Sequence, residues 1–125
     1  MEPLIIESTS LTPEIKFDAA QGTFEMKGRS IPENSLEFYQ PVYEWLDAYL
    51  DAPNEKTVLS VQFDYFNTSS SKCILDILKR IDKLEDMDKD ILIKWYYDEN
   101  DEDMMEAGED YSDLLEAPFE LITIE

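Results

Sequence analysis

The chain has 125 residues, of which 43% are hydrophobic, and its formal net charge is −20. This length is typical of one domain, and the apolar content argues against a disordered chain. The charge excludes nucleic acid and anionic membrane surfaces as natural partners, because like charges repel over about one Debye length, ~8 Å at physiological salt. Proteins with basic patches are favoured instead, although solubility alone explains the charge equally well.

Two residue types that often carry chemistry are missing or rare. There is no histidine, which removes the usual general base near neutral pH and the commonest metal ligand. Cys73 is the only cysteine, so an intramolecular disulfide and a cysteine zinc cage are excluded. No apolar run approaches the ~20 residues of a membrane span, and the N-terminus lacks the features of a secretory signal, so we expect a cytoplasmic protein.

The first predicted element is a β-hairpin. Apolar residues alternate with polar ones over Pro13–Asp18 and again over Thr23–Lys27. The loop between these runs contains a glycine, which is typical of a short connection between antiparallel strands.

A helix is predicted next. Asn34 or Ser35 can cap its start, and apolar residues then recur at helical spacing over residues 36–50. Pro41 lies within this segment, and a proline inside a helix costs about 3 kcal/mol. We therefore expect a kink there, or a restart with Pro41 in the first turn.

Strands and helices alternate in the rest of the chain. The predicted elements are a strand over Thr57–Phe66, a helix over about Ser69–Asp86, a strand over Asp90–Tyr97, a weaker helix over Asp101–Glu116 and a strand over Phe119–Ile124. The residues expected on one face of the first of these strands are Leu59, Val61, Phe63 and Tyr65. This alternation predicts a single α/β domain over residues 1–125, with about three helices and a mixed, mostly parallel sheet that begins with the hairpin.

Four hydroxyl residues stand in a row where a predicted strand gives way to a predicted helix. The run is Asn67-Thr68-Ser69-Ser70-Ser71, followed by Lys72. Functional sites of α/β proteins lie at the carboxyl ends of strands, and free backbone N–H groups at a helix start attract anions. A phosphoryl group there would add about −1.5 to −2 charges, so the run is a candidate phosphorylation switch. The competing interpretation is helix capping combined with solubility.

Three short segments give the chain a likeness to a known family. They are Pro32-Glu33-Asn34-Ser35, Asn67-Thr68-Ser69-Ser70 with Lys72, and Trp95-Tyr96-Tyr97-Asp98. In their order and spacing, and over almost its whole length, the chain resembles the SiaC family of bacterial regulatory phosphoproteins. The resemblance implies a STAS-like fold, related to that of anti-sigma-factor antagonists, with Thr68 as the phosphoacceptor. The residues that would contact the kinase or partner are Asn67, Ser69, Ser70, Ser71 and Lys72.

The resemblance also implies partners. A histidine-kinase-like ATPase would phosphorylate Thr68, and a PP2C-like phosphatase would remove the phosphate. The unphosphorylated form would bind and activate a diguanylate cyclase, in cyclic di-GMP signalling and biofilm control, and phosphorylation would block that binding. The chain itself would be no enzyme and would need no cofactor or metal.

Two alternatives remain open at the level of sequence. Pro41 and the unusually acidic C-terminal third depart from the family's pattern, which leaves the partner undetermined. The chain could instead be an anti-sigma-factor antagonist-like partner switch, or a constitutive acidic interaction protein. An enzyme that works through its carboxylates is disfavoured, because there is neither a histidine nor a glycine-rich phosphate loop.

Overall fold

A computed structural model describes residues 1–125 as a six-stranded sheet with three helices. The elements are β1 (Leu4–Ile6), β2 (Glu14–Asp18), β3 (Thr23–Ser30), α1 (Ser35–Asp51), β4 (Lys56–Phe66), α2 (Thr68–Asp86), β5 (Asp90–Asp98), α3 (Glu102–Asp113) and β6 (Phe119–Ile124). The predicted hairpin and the predicted alternation of strand and helix are confirmed. The short strand β1 was not predicted. None of the three helices combines the length and the apolar character that crossing a lipid bilayer requires.

The strands lie in the sheet in the same order as in the chain, β1 to β6. β1, β2 and β3 pair antiparallel, whereas β3, β4, β5 and β6 pair parallel, so the expected mixed and mostly parallel sheet is confirmed. Crossovers between parallel strands are right-handed, and here each one steps to the next strand in the same direction. All three helices therefore pack on one face of the sheet. No element of the chain covers the opposite face, which we call the open face.

The core lies between the helices and the sheet and forms one cluster of 25 buried residues. Alternate positions of each central strand point into it, and α1 contributes Tyr39, Tyr43 and Tyr49. Cys73 on α2 is 6% exposed within the same cluster. These side chains pack as the apolar periodicity of the sequence predicts.

A β-bulge corrects the prediction for Tyr65. The other three members of its predicted face are buried, but Tyr65 is 53% exposed. Phe63 and Tyr65 pair with successive residues of β3, so Asp64 between them has no partner. This extra residue turns Tyr65 away from the core and turns Phe66 into it. The ring of Phe66 packs edge-on against Phe63, 5.6 Å away between centroids.

Two helix boundaries also differ from the prediction. The restart at Pro41 is wrong, since α1 runs unbroken with Pro41 inside it. Pro41 is on the exposed side of α1, and burial of the opposite side outweighs the one backbone hydrogen bond that proline removes. The predicted extension of α3 to Glu116 is wrong too. The backbone N–H groups of Glu116 and Ala117 donate instead to the Asp82 carboxylate, at 3.0 and 2.7 Å.

Candidate functional site

The hydroxyl run lies at the carboxyl end of the parallel strands, where the starts of two helices meet. β4 ends at Phe66, and α2 begins two residues later at Thr68. Ser30, the last residue of β3, is the register partner of Phe66. Ser35, the first residue of α1, lies within hydrogen-bond distance of Ser69. The site is thus built from four elements, at the edge of the sheet where α/β proteins place theirs.

Asn67 is the N-cap of α2. Its side-chain oxygen Oδ1 accepts a hydrogen bond from the Ser70 N–H at 2.9 Å. Its own N–H donates to the Ser30 carbonyl at 3.0 Å, which attaches the helix start to the end of β3. The cap satisfies one of the backbone donors that a helix start leaves free. Because Asn67 supplies this cap, the hydroxyls that follow it serve other purposes.

Ser70 is fully buried and fixes the corner from inside. Its hydroxyl donates to the Ser30 carbonyl at 3.0 Å and accepts from the Ser30 hydroxyl at 2.8 Å. The Ser30 oxygen also lies 2.6 Å from the Tyr39 hydroxyl of α1. With 0% of its surface exposed, Ser70 cannot touch a kinase or partner, which corrects the expectation for this residue.

Ser69 and Ser71 connect α2 to the other two helices. The Ser69 hydroxyl donates to Asn67 Oδ1 at 3.1 Å and lies 2.7 Å from the Ser35 hydroxyl of α1. Ser71 lies against α3, because the Tyr111 hydroxyl donates to its carbonyl at 2.9 Å and lies 3.0 Å from its Oγ. Ser69 is nevertheless exposed and Ser71 is half-buried. Both hydroxyls are therefore already engaged within the fold.

Thr68 differs from its three neighbours. It is the first residue of α2, it is exposed, and its hydroxyl takes part in no hydrogen bond of the chain. Lys72 follows four residues later, so it lies on the same side of the helix one turn further on. Lys72 is also exposed and forms no ion pair. Thr68 is thus the hydroxyl of the run that can be modified without loss of an existing contact.

The surroundings of Thr68 are free of carboxylates in the sequence. Residues 65–75 contain no Asp or Glu, although the chain has 30 of them. The first turns of α1 and α3 each contain acidic residues, whereas that of α2 contains none. The first turn of α2 therefore has no acid of its own to compensate the positive end of the helix dipole. A dianion on Thr68 would meet backbone N–H groups and Lys72 there.

Two tyrosines behind the corner are held in their neutral form. Burial raises the pKa of Tyr39 above its usual value, and its hydrogen bond to Ser30 only partly opposes this. Burial likewise raises the pKa of Tyr111, with Ser71 lowering it and the Asp110 carboxylate raising it further. Both hydroxyls therefore keep their protons and remain hydrogen-bond donors across the physiological pH range.

Four residues of this network were not assigned to the site from the sequence. They are Ser30, Ser35, Tyr39 and Tyr111. The sequence indicates a possible helix-capping role for Ser35, but Asn34 takes that role, since its Oδ1 accepts from the Glu37 N–H at 3.1 Å. Ser30 follows the predicted hairpin, and nothing in the local sequence indicates that its hydroxyl is buried.

Comparison with known proteins identifies the family. A family model described as SiaC family regulatory phosphoprotein matches residues 6–124. The chain belongs to the SiaC family. The resemblance inferred from the three short segments is thereby confirmed, and the chain is a member of a family of regulatory phosphoproteins.

Related proteins from Pseudomonas aeruginosa match the chain over nearly its full length. An uncharacterised protein of strain UCBPP-PA14 is 32% identical over 119 residues, which are 95% of this chain and 94% of that protein. The structure of SiaC from this species has a TM-score of 0.91 at 30% identity and covers 99% of this chain and 100% of its own. A structure of the diguanylate cyclase SiaD in complex with its activator SiaC matches with a TM-score of 0.89 at 31% identity, over 97% of this chain and 99% of the matched one. The predicted α/β fold is that of the SiaC family.

Proposed function

We propose that this protein is a regulator that binds and activates a diguanylate cyclase, and that phosphorylation of Thr68 blocks this binding. The observation that carries the proposal is the free, exposed hydroxyl of Thr68 at the start of α2, among neighbours whose hydroxyls are all engaged. The solved complex of SiaC with the cyclase SiaD supports a cyclase as the partner. Membership of a regulatory phosphoprotein family supports control by phosphate.

Phosphorylation would act locally at this corner. The Thr68 hydroxyl oxygen attacks the γ-phosphorus of ATP, loses its proton to solvent or to the kinase, and forms a phosphoester as ADP leaves. The product adds about two negative charges and three acceptor oxygens. Against a net charge of −20 this barely changes the long-range field. Its effect is therefore bulk, hydration and charge at the contact surface itself.

The fold should tolerate the phosphate. The first-turn N–H groups of α2 and its dipole favour an anion at Thr68, and Lys72 one turn later can approach it. Ser69, Ser70 and Ser71 keep their hydrogen bonds, because none of them involves Thr68. A modification that leaves the fold intact and alters only the docking surface suits a reversible switch.

The remaining partners follow from this mechanism. A histidine-kinase-like ATPase would supply the phosphoryl group and a PP2C-like phosphatase would hydrolyse the ester, both in the cytoplasm together with the cyclase. The protein itself would act by binding and not by catalysis. Its acidic surface would repel nucleic acid and anionic membranes.

The acceptor can be tested with the cognate kinase and ATP, followed by mass spectrometry of the intact protein and its peptides. We expect one phosphoryl group per chain on Thr68, no incorporation into Thr68→Val, and full incorporation into Thr68→Ser. Ser69→Ala is the matched control, because Ser69 is also an exposed hydroxyl residue and is adjacent to Thr68, and it should be labelled like the wild type. Undiminished labelling of Thr68→Val would refute the assignment.

A further inference from the structure

The open face of the sheet lacks the second layer that such sheets normally have. Four of the six strands run parallel, and sheets in which all strands are parallel are almost always covered on both faces. The apolar side chains that alternation places on the open face are Ile5, Val58, Leu92, Tyr96, Ile122 and Ile124. Ile5 is 58% exposed, and Tyr65 is turned out to this side by the bulge. A cover from outside the chain is therefore expected.

The open face has only a small share of the molecule's net negative charge. Alternation along the six strands places there five of the ten cations and seven of the thirty carboxylates, a net charge of −2 out of −20. A second, equally acidic copy of the chain would meet strong repulsion on the helix side. On the open face it would meet a nearly neutral surface.

The strand register arranges these side chains in two adjacent rows across the sheet. The first row, from β2 to β6, is Lys16, Glu25, Ser60, Lys94 and Glu120. The second row is displaced by two residues towards the carboxyl ends of β3 to β6, and by two residues towards the start of the antiparallel β2, as alternation requires for side chains on the same face. Its members are Glu14, Lys27, Gln62, Tyr96 and Ile122.

The two rows are complementary to each other. On four of these five strands a charged or polar residue of the first row lies beside a second-row residue that it can bind: Lys16 beside Glu14, Glu25 beside Lys27, Ser60 beside Gln62, and Lys94 beside the ring of Tyr96. On β6, Glu120 lies beside the apolar Ile122. A two-fold axis between the rows and perpendicular to the strands would place each residue opposite its counterpart in the other copy. Isologous interfaces need this kind of self-complementarity.

We propose that a second copy of this chain packs on the open face about that axis, giving a homodimer in which the two sheets form the inner layers. Glu25 then faces the partner's Lys27, and Lys94 faces the partner's Tyr96 in a cation–π contact. The helices form the outer layers, so both Thr68 corners stay accessible. The proposal does not depend on Thr68, and its failure would leave the proposed function untouched.

The area of the open face is adequate for a stable dimer. Strands about 4.8 Å apart, with a rise of about 3.3 Å per residue, give the sheet a footprint of roughly 25 by 25 Å. This flat area is on the order of 600 Å². Side chains that project from the sheet make the accessible area larger, so it is close to the ~800 Å² per partner of a standard interface. Two packed sheets are also a common arrangement in single domains.

Sedimentation equilibrium of the unphosphorylated full chain, over a range of concentrations at physiological ionic strength, tests the proposal. We expect the mass to rise from 14.6 kDa towards twice that value. Lys27→Glu places a carboxylate opposite the partner's Glu25 at two symmetric contacts, and should weaken the dimer at least about tenfold. The double variant Glu25→Lys/Lys27→Glu exchanges the two charges and should restore much of the affinity.

Lys83→Glu is the matched control, because it makes the same change of charge at an exposed position on α2. It should leave the dimer nearly unchanged. A monomer at every concentration would overturn the proposal, as would equal weakening by Lys83→Glu and Lys27→Glu or a double variant no stronger than Lys27→Glu. If the backbone amides of the open-face strands become protected from hydrogen exchange only after a cyclase is added, the face binds another protein. That result would also contradict a homodimer.

Discussion

At the scale of single residues, five consecutive positions with similar side chains have different roles. Asn67 caps the helix, Ser70 is buried against Ser30, and Thr68 is free. The sequence predicts that the run starts a helix, because these residue types satisfy free N–H groups. It does not predict which hydroxyl is free, because the hydroxyls that engage Ser69, Ser70 and Ser71 belong to residues 34 to 40 positions away in the chain. Only the packed fold distinguishes the four.

The cap itself makes a testable contribution to stability. In Asn67→Ala the Ser70 N–H loses its acceptor and Ser69 loses one of its two partners. We expect the free energy of unfolding to fall by about 1 kcal/mol, within the range of about 0.5–2 kcal/mol for removal of an N-cap. Urea unfolding monitored by circular dichroism measures it. Asn100→Ala, an exposed turn residue, is the control, and an equal loss in the two variants would contradict the capping role.

At the scale of secondary structure, the sequence predicts most elements and their order but not where tertiary contacts change them. Alternation along β4 is interrupted by a bulge at Asp64, which is defined by the pairing with β3, where the register shifts between Gly28 and Arg29. The end of α3 is set by hydrogen bonds to Asp82 of α2. The strand β1 has only three residues, too few for a periodic pattern. Each difference arises from a partner that is distant along the chain.

Gly108 gives a prediction at this scale, because α3 approaches the sheet very closely there. A Cβ on Gly108 would lie 2.6 Å from Trp95 Cδ1 and 2.6 Å from Leu121 Cδ2. The Trp95 ring cannot easily move, since its Nε1–H donates to the Met104 carbonyl at 3.0 Å. Gly108→Ala should therefore lower the free energy of unfolding by about 1–3 kcal/mol, although alanine is the better helix former by about 1 kcal/mol.

Chemical denaturation compares Gly108→Ala with Glu106→Ala, an exposed position on the same helix. The control should stay within about 0.5 kcal/mol of the wild type, as surface substitutions usually do. Stabilisation by Gly108→Ala would mean that helix propensity outweighs packing at this position. It would contradict the close contact of α3 with Trp95.

At the scale of the whole molecule, the two proposed roles, phosphorylation control and dimer formation, lie on opposite faces of the sheet. The core lies between the helices and one face of the sheet. The Thr68 corner lies at the carboxyl ends of the parallel strands, and residues 65 to 75 around it contain no Asp or Glu. The open face is nearly neutral and has complementary rows of side chains. Strand alternation and composition predict the α/β class, because they depend on local pattern alone. The packing of all three helices on one face depends on the order of the strands in the sheet, which the local sequence pattern does not predict.

The phosphorylation switch is tested by the affinity of a cognate diguanylate cyclase for two forms of the protein, measured by isothermal titration calorimetry. One form is unphosphorylated, and the other contains phosphothreonine at position 68 in every chain. We predict that the unphosphorylated form binds and raises cyclase turnover, and that the phosphorylated form binds at least about tenfold more weakly, a difference of about 1.4 kcal/mol. Equal affinity and equal activation by the two forms would contradict the switch.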